Sequence, residues 1–304
     1  MTLSRRNFIK SSSMLLGAIL YPGKKLLSYT NILSISGIAE IRPNIGVFTS
    51  QGGTIGWYIT DDAVVVIDSQ FPDSAKSFMN EIKPKLNRKI DILFNTHHHS
   101  DHTSGNFYLK DFANQIVAQE NCPKLQKQFY GSGESKDEQV YANITFSDEW
   151  QIDLGIEKLK AYYFGSAHTA GDAFIHFQNT NVVHLGDLVF NKIYPYMDTP
   201  AGCLIEGLIR VLGKAIKMFD SDTKFIYGHA SSDEFVTGSI EDLKVMQDYF
   251  SALTEFVQKE INSGKTLNEI KNATHIPGFK NLIEKWNGAK DMSLTAAYEE
   301  LTGK

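Results

Sequence analysis

The chain has 304 residues, 42% of them hydrophobic and 12% aromatic, with 30 Lys+Arg against 35 Asp+Glu. That length and apolar fraction suffice for a sizeable core and exclude a disordered or fibrous chain, and no apolar run reaches the roughly 18 to 20 residues of a membrane-spanning helix. The net charge of −5 is uneven: residues 1–25 hold five bases and no acid, so 25 bases face all 35 acids in the remainder, a net −10. So acidic a body is a poor nucleic-acid binder, because such proteins draw most of their affinity from basic surfaces. The two cysteines, Cys122 and Cys203, lie far apart and provide neither a disulfide framework nor a thiolate zinc ribbon.

At the N-terminus, Ser4-Arg5-Arg6-Asn7-Phe8-Ile9-Lys10 precedes a weakly apolar stretch from Met14 to Tyr21, which Pro22-Gly23 breaks. Residues 1–25 resemble a twin-arginine export signal, although no small-x-small cleavage site follows. The resemblance implies recognition by the twin-arginine translocation machinery and a periplasmic location, either free or tethered by an uncleaved signal. That route carries folded proteins and suits an enzyme that takes up its metal before export.

Residues 26–40 read as a linker. Strands follow at Ile45–Thr49, Trp57–Thr60 and Ala63–Asp68, separated by Gly-Gly and Asp-Asp turn signals, as an antiparallel meander. An amphipathic helix starts at Ser74, with Ala75, Phe78, Met79 and Ile82 on one face and Pro84 as its limit. The apolar strand Ile90–Phe94 runs into the most informative stretch of the chain. Later strands are expected at Leu159–Phe164, Ala173–Phe177, Val182–Leu185 and Lys224–Tyr227, with a helix Leu204–Phe219 between the last two. From Ser239 onward, residues 239–304 read as a helical extension and a structural cover for the second sheet. The pattern predicts an α/β fold of two stacked sheets covered by helices on both outer faces.

Asn95-Thr96-His97-His98-His99-Ser100-Asp101-His102 follows the apolar strand directly. Residues two apart in an extended segment share a side, so His97 and His99 converge while His98 points away. A helix beginning near Thr103 would turn Asp101 and His102 toward a second metal. Four histidines and an aspartate within six positions, in a chain with nine histidines, argue for ligation over packing. His168, Asp187 and His229 each follow an apolar strand beside glycine, where α/β folds gather ligand-binding loops. His176 and His184 lie within strand patterns and read as packed or hydrogen-bonded histidines, His275 as a surface one, and both cysteines as packing residues. Tyr194, Pro195, Tyr196, Met197 and Asp198 follow Asp187 closely, as a wall of a substrate cleft or equally as a loop held by aromatic packing. Trp57 and Phe71 carry the same two readings on the opposite wall.

The ordered pattern His-x-His-x-Asp-His, then a distant His, Asp and His, resembles the signature of the metallo-β-lactamase superfamily and extends from about residue 40 to 230. The resemblance implies an αβ/βα sandwich of two mixed sheets over 41–304, with a two-metal cleft between the sheets. By it His97, His99 and His168 bind the first metal, Asp101, His102 and His229 the second, and Asp187 bridges both. Nitrogen and oxygen donors suit two zinc ions, and iron or manganese also accept such donors. Two divalent cations among these ligands leave a site of formal charge about +2, able to lower a water's pKa toward about 7. Thr169, Asp172 and Asn95 are expected to fix the ligand tautomers. A bridging aspartate is similar to that of the superfamily's thioesterases, lactonases and nucleases, and the acidic body disfavours the last. The expectation is an exported dinuclear zinc hydrolase in which a metal-bridging hydroxide, oriented by Asp101, attacks a small ester, thioester, lactone or amide. β-Lactam hydrolysis is the alternative within that class, and a mononuclear iron persulfide oxygenase the alternative outside it.

Overall fold

A computed structural model describes residues 37–133 and 135–303. The export-type leader over 1–25, and the linker as far as residue 36, lie outside the described residues. Residues 37–40 are no linker: they open the first strand, pairing antiparallel with the second.

Seven strands make the first sheet in chain order: β1 (Gly37–Arg42), β2 (Ile45–Thr49), β3 (Ile55–Ile59), β4 (Val64–Ile67), β5 (Ile90–Asn95), β6 (Ala113–Gln119) and β7 (Ile144–Phe146). The first four are antiparallel neighbours, and β4 through β7 run parallel. The second sheet starts with β8 (Glu149–Asp153), β9 (Lys158–Tyr162), β10 (Phe174–Phe177) and β11 (Val182–His184). After β12 (Phe190–Asn191) come β13 (Lys224–Ile226), β14 (His229–Ala230) and β15 (Thr237–Gly238). The second sheet has the order β15-β13-β11-β10-β9-β8, while β12 and β14 form a short parallel ribbon of their own. Both large sheets are mixed.

The alternation of side chains along each strand sorts the core into layers. In β4 and β5, Val65, Ile67, Ile92 and Phe94 face the second sheet, where they meet Ala161, Ile175, Phe177 and Ile226. Val64, Val66 and Leu93 point the other way, onto α1 (Pro72–Ile82) and its Ala75, Phe78, Met79 and Ile82. Pro72 opens that helix, where a missing N–H costs nothing, and Asp73 complements its dipole. Next come the short helices α2 (Ser100–Thr103) and α3 (Asn106–Leu109), then α4 (Asn121–Tyr130).

The outer face of the second sheet is covered by α5 (Ile205–Met218), α6 (Ile240–Asn262), α7 (Leu267–Lys271) and α8 (Ala289–Thr302). A capping box of Ser239 and Asp242 starts α6, and Asp242 also accepts the Tyr227 hydroxyl at 3.0 Å, tying the helix to the end of β13. The C-terminal region is not continuously helical: residues 272–288 form an irregular segment between α7 and α8. Among the described residues, no helix is long and apolar enough to cross a membrane.

Candidate metal centre

The loops that leave the strand ends converge on one cleft. Asp68 follows β4, His97 to His102 follow β5, Asp187 follows β11, His229 opens β14, and His168 lies between β9 and β10. After the last residue of β5 the chain turns at once: His99 is the N-cap of α2, and its carbonyl accepts the N–H groups of His102 and Thr103, each at 3.0 Å. Asp101 and His102 are therefore within a helical turn rather than ahead of one. The backbone approaches closely at two glycines. Gly186 has φ +51, and a Cβ there would press on Thr96; a Cβ at Gly228 would collide with the Asp187 carboxylate.

Among the described residues, three groups of ligating atoms lie within 4.8 Å of one another: His97, His99, His168 and Asp187; Asp101, His102 and His229; and His98, His99 and Asp198, which shares His99 with the first. The first two, the ligand groups proper, contain every residue of the expected set. His99 Nδ1 lies 3.0 Å from His97 Nε2 and 3.1 Å from His168 Nε2. Asp101 Oδ2 is 3.0 Å from His229 Nε2. Asp187 stands between the groups, with Oδ2 3.6 Å from His168 Nε2 and 3.4 Å from His229 Nε2, and Oδ1 3.1 Å from His102 Nε2. Tetrahedral ligation at about 2.0–2.1 Å puts donors roughly 3.3 Å apart, so this spacing fits metal ions without rearrangement. His102 Nε2 and Asp187 Oδ1 are moreover buried and, apart from facing each other, have no partner, as suits two donors that share a cation. The donors are imidazole nitrogens and carboxylate oxygens, and no thiolate takes part.

Charge within the cleft is strongly polarised. Burial holds His97 well below the ordinary histidine range and His168 down at about 3, so both offer neutral nitrogens. Burial acts against the charged form of His102 as well, but Asp187, Asp101 and Asp68 outweigh it and hold that imidazole well above 6.5. The same surroundings act in reverse on the acids. Burial opposes ionisation of Asp101 and Asp187, yet His102 and His229 hold Asp101 at about 2, and His229, His102 and His97 hold Asp187 well below the carboxylate range.

The ring nitrogens opposite the convergent ones are held by residues to which the sequence assigned no such role. Asp68 Oδ2 takes His102 Nδ1 at 2.7 Å and the Thr96 hydroxyl at 2.7 Å, and Thr96 Oγ1 in turn meets His97 Nδ1 at 3.0 Å. Asp198 Oδ2 holds His99 Nε2 at 2.8 Å. Both carboxylates fix a tautomer. Asn95, expected in that role, pairs with Asn106 instead, and Thr169 and Asp172 pair with each other inside the His168 loop. His98 turns away from the two groups and is buried beside Phe129 and Tyr130. His184 is a packed histidine bonded to the Thr54 carbonyl, and His275 is exposed.

Of the four aromatic residues considered for the substrate wall, only Tyr196 lines the cleft, edge-on to His99 at 5.7 Å. Trp57 faces the opposite side of the first sheet, in the core beneath α1, with its indole N–H donated to the Val47 carbonyl. Tyr194 is buried against Tyr249, whereas Tyr196, two residues further on, is exposed. Phe71 caps α1 and is not among the lining residues. Tyr130, Phe190 and Trp286 line it as well, without having been singled out from sequence, and Trp286 comes from the irregular segment before α8. Only the fold brings it there.

Several known proteins are similar to this chain. The chain is 24% identical over 161 residues to metallo-beta-lactamase type 2 of Elizabethkingia meningoseptica, covering 50% of this chain and 61% of that protein. It is 27% identical over 134 residues to the 2,4-dinitroanisole O-demethylase subunit alpha of Nocardioides sp. (strain JS1661), covering 43% and 39%. These matches thus span less than two thirds of either relative. Among solved structures, the metallo-beta-lactamase from Pontibacter korlensis superposes with a TM-score of 0.61 at 15% identity, over 70% of this chain and 98% of that one. The stereoselective inverting sec-alkylsulfatase Pisa1 from Pseudomonas sp. gives 0.67 at 15% identity, over 88% and 50%. At such identity the likeness is one of fold. Residues 51–233, more than half the chain and including every residue of both ligand groups, match the family model, and the chain belongs to the Metallo-beta-lactamase superfamily.

Proposed function

We propose that this chain is an exported hydrolase that holds two zinc ions and cleaves a small carbonyl substrate: an ester, thioester, lactone or amide. The observation that supports it most is the Asp187 carboxylate, whose two oxygens reach toward both ligand groups at once. His97, His99 and His168 would hold one ion, Asp101, His102 and His229 the other, with Asp187 shared. Two divalent cations supply nucleophilic water at neutral pH and stabilise negative charge on the reacting oxygen. Asp101, ionised at neutral pH and partly open to the cleft, accepts a hydrogen bond from the attacking water and orients it. The water oxygen bonds to the carbonyl carbon, the bond to the leaving group breaks, and the leaving atom takes up a proton released by the water. A pair of ligand groups supports two ions rather than the single iron of a persulfide oxygenase.

Replacement of His97 or Asp187 by Ala is expected to remove bound metal and hydrolysis together, as measured by metal analysis beside turnover of simple esters, thioesters and lactones. Full activity in a metal-free sample would overturn the scheme. The relative named as a β-lactamase favours β-lactam cleavage as the second reading, and nitrocefin hydrolysis separates it from the first. The arginine pair of the leader supports export. Arg5→Lys with Arg6→Lys should strand the protein in the cytoplasm, and unchanged export on fractionation contradicts that reading.

A further inference from the structure

The cleft beside the ligand groups encloses about 230 Å³. Apart from Ser100 and the ligands themselves, its walls are four aromatic side chains: Tyr130, Phe190, Tyr196 and Trp286. Among the described residues no Lys or Arg lines it. Lys285, adjacent to Trp286 in the chain, donates to the Ala230 carbonyl at 3.0 Å. Burial raises the hydroxyls of Tyr130 and Tyr196 above the ordinary tyrosine value, so both are neutral at pH 7.

Trp286 is held in this wall by the chain around it. Ile283 pairs in parallel with Ile193 in the loop beyond Asp187, the Tyr194 N–H donates to the Ile283 carbonyl at 3.1 Å, and the Ile283 N–H donates to the Lys192 carbonyl at 3.4 Å. The Lys285 bond to Ala230 fixes the same segment against β14. The indole consequently sits edge-on to Phe190, His229 and Tyr196, at centroid distances of 5.8, 5.8 and 6.2 Å. Phe190 lies nearly parallel to His229, 11° between the rings.

These walls set a chemical requirement. A flat ring gains offset or edge contacts with several aromatic partners at once, contacts that a small acyclic group does not make. A cavity of about 150 Å³ is enough for a benzene ring. The 230 Å³ here, part of which bound ions would fill, leaves room for one ring. We infer that the cleft accepts an ester or lactone carrying a single aromatic or flat apolar ring, and that Trp286, delivered by the C-terminal segment, determines this preference. This inference deepens the hydrolase reading and rests on it for the reacting group.

The test uses the full chain, both metal-loaded and chelated, with acetophenone as a one-ring carbonyl probe that is not hydrolysed and 2-butanone as its ring-free counterpart. By calorimetric titration of the chelated protein, acetophenone should bind about tenfold more tightly than 2-butanone or better. Trp286→Leu should weaken acetophenone about tenfold, and Trp286→Phe, which keeps a ring, should retain most of the binding. With the metal-loaded protein, Trp286→Leu should lower kcat/KM for phenyl acetate about tenfold through KM, a clearly larger loss than for methyl acetate. Equal binding of the two probes, or a Leu variant that binds acetophenone as the parent does, overturns the inference. Failure of the loaded protein to cleave either ester overturns the hydrolase reading instead, and the titrations still decide the preference of the cleft.

Discussion

Asp68 has a left-handed backbone, with φ +63, and is fully buried. Aspartate tolerates that conformation better than most residues. Its carboxylate accepts from the Thr96 N–H and hydroxyl and from His102 Nδ1, so one side chain orients a member of each ligand group. Asp68→Asn keeps the volume but replaces an acceptor oxygen with a donor. Metal affinity, measured by competition with a chelator, should fall roughly 10- to 100-fold; unaltered affinity would mean that packing alone orients His102. Asp172 makes a different prediction. Burial pushes its carboxyl up to about 7, the bonds from Thr169 countering only in part. The folded chain therefore binds this proton more tightly than the unfolded chain, whose carboxyl titrates near 3.8. The favourable contribution is full below that value and is lost as pH rises through about 7. In melts of the metal-free protein, the parent should lose stability relative to Asp172→Asn as pH rises across that window, and a constant difference would rule this out.

At the scale of elements, the covering helices contribute to the main core as much as the sheet does. Leu253 in the middle of α6 is fully buried among the residues that pack on the second sheet. Leu253→Ala should cost about 2–5 kcal/mol in chemical denaturation, whereas a cost near zero would make α6 a loosely attached cover. Elements with strong internal patterning were legible from sequence: Val64 to Ile67 as a β-branched run, α1 and α5 from their apolar stripes. β12 and β14 were not, because two residues carry no period and exist only through pairing with each other. β8 was missed because Glu149, Gln151 and Asp153 are exposed at the sheet edge and only Trp150 and Ile152 turn inward. The segment before α8 looked like part of a helical cover because its geometry depends on bonds to Lys192, Tyr194 and Ala230, far away in the chain.

For the molecule as a whole, the same distinction separates what the residues announce from what the fold adds. Clustered histidines and strand-end positions made all seven ligand candidates readable, since their chemistry is unusual at that density. Asp68 and Asp198 are single acids with no local pattern, and they became visible only when the two sheets placed them behind the imidazoles. Trp286 lies beyond the matched family region of residues 51–233. All seven ligand candidates lie before residue 230, whereas one wall of the cleft arrives some 55 residues after the last of them. Local opening of 272–288 would leave both ligand groups assembled and expose the cleft on that side. Under gradual denaturation, the proposed ring preference should therefore disappear while metal binding is still measurable, the cleft turning permissive before its ligand groups come apart.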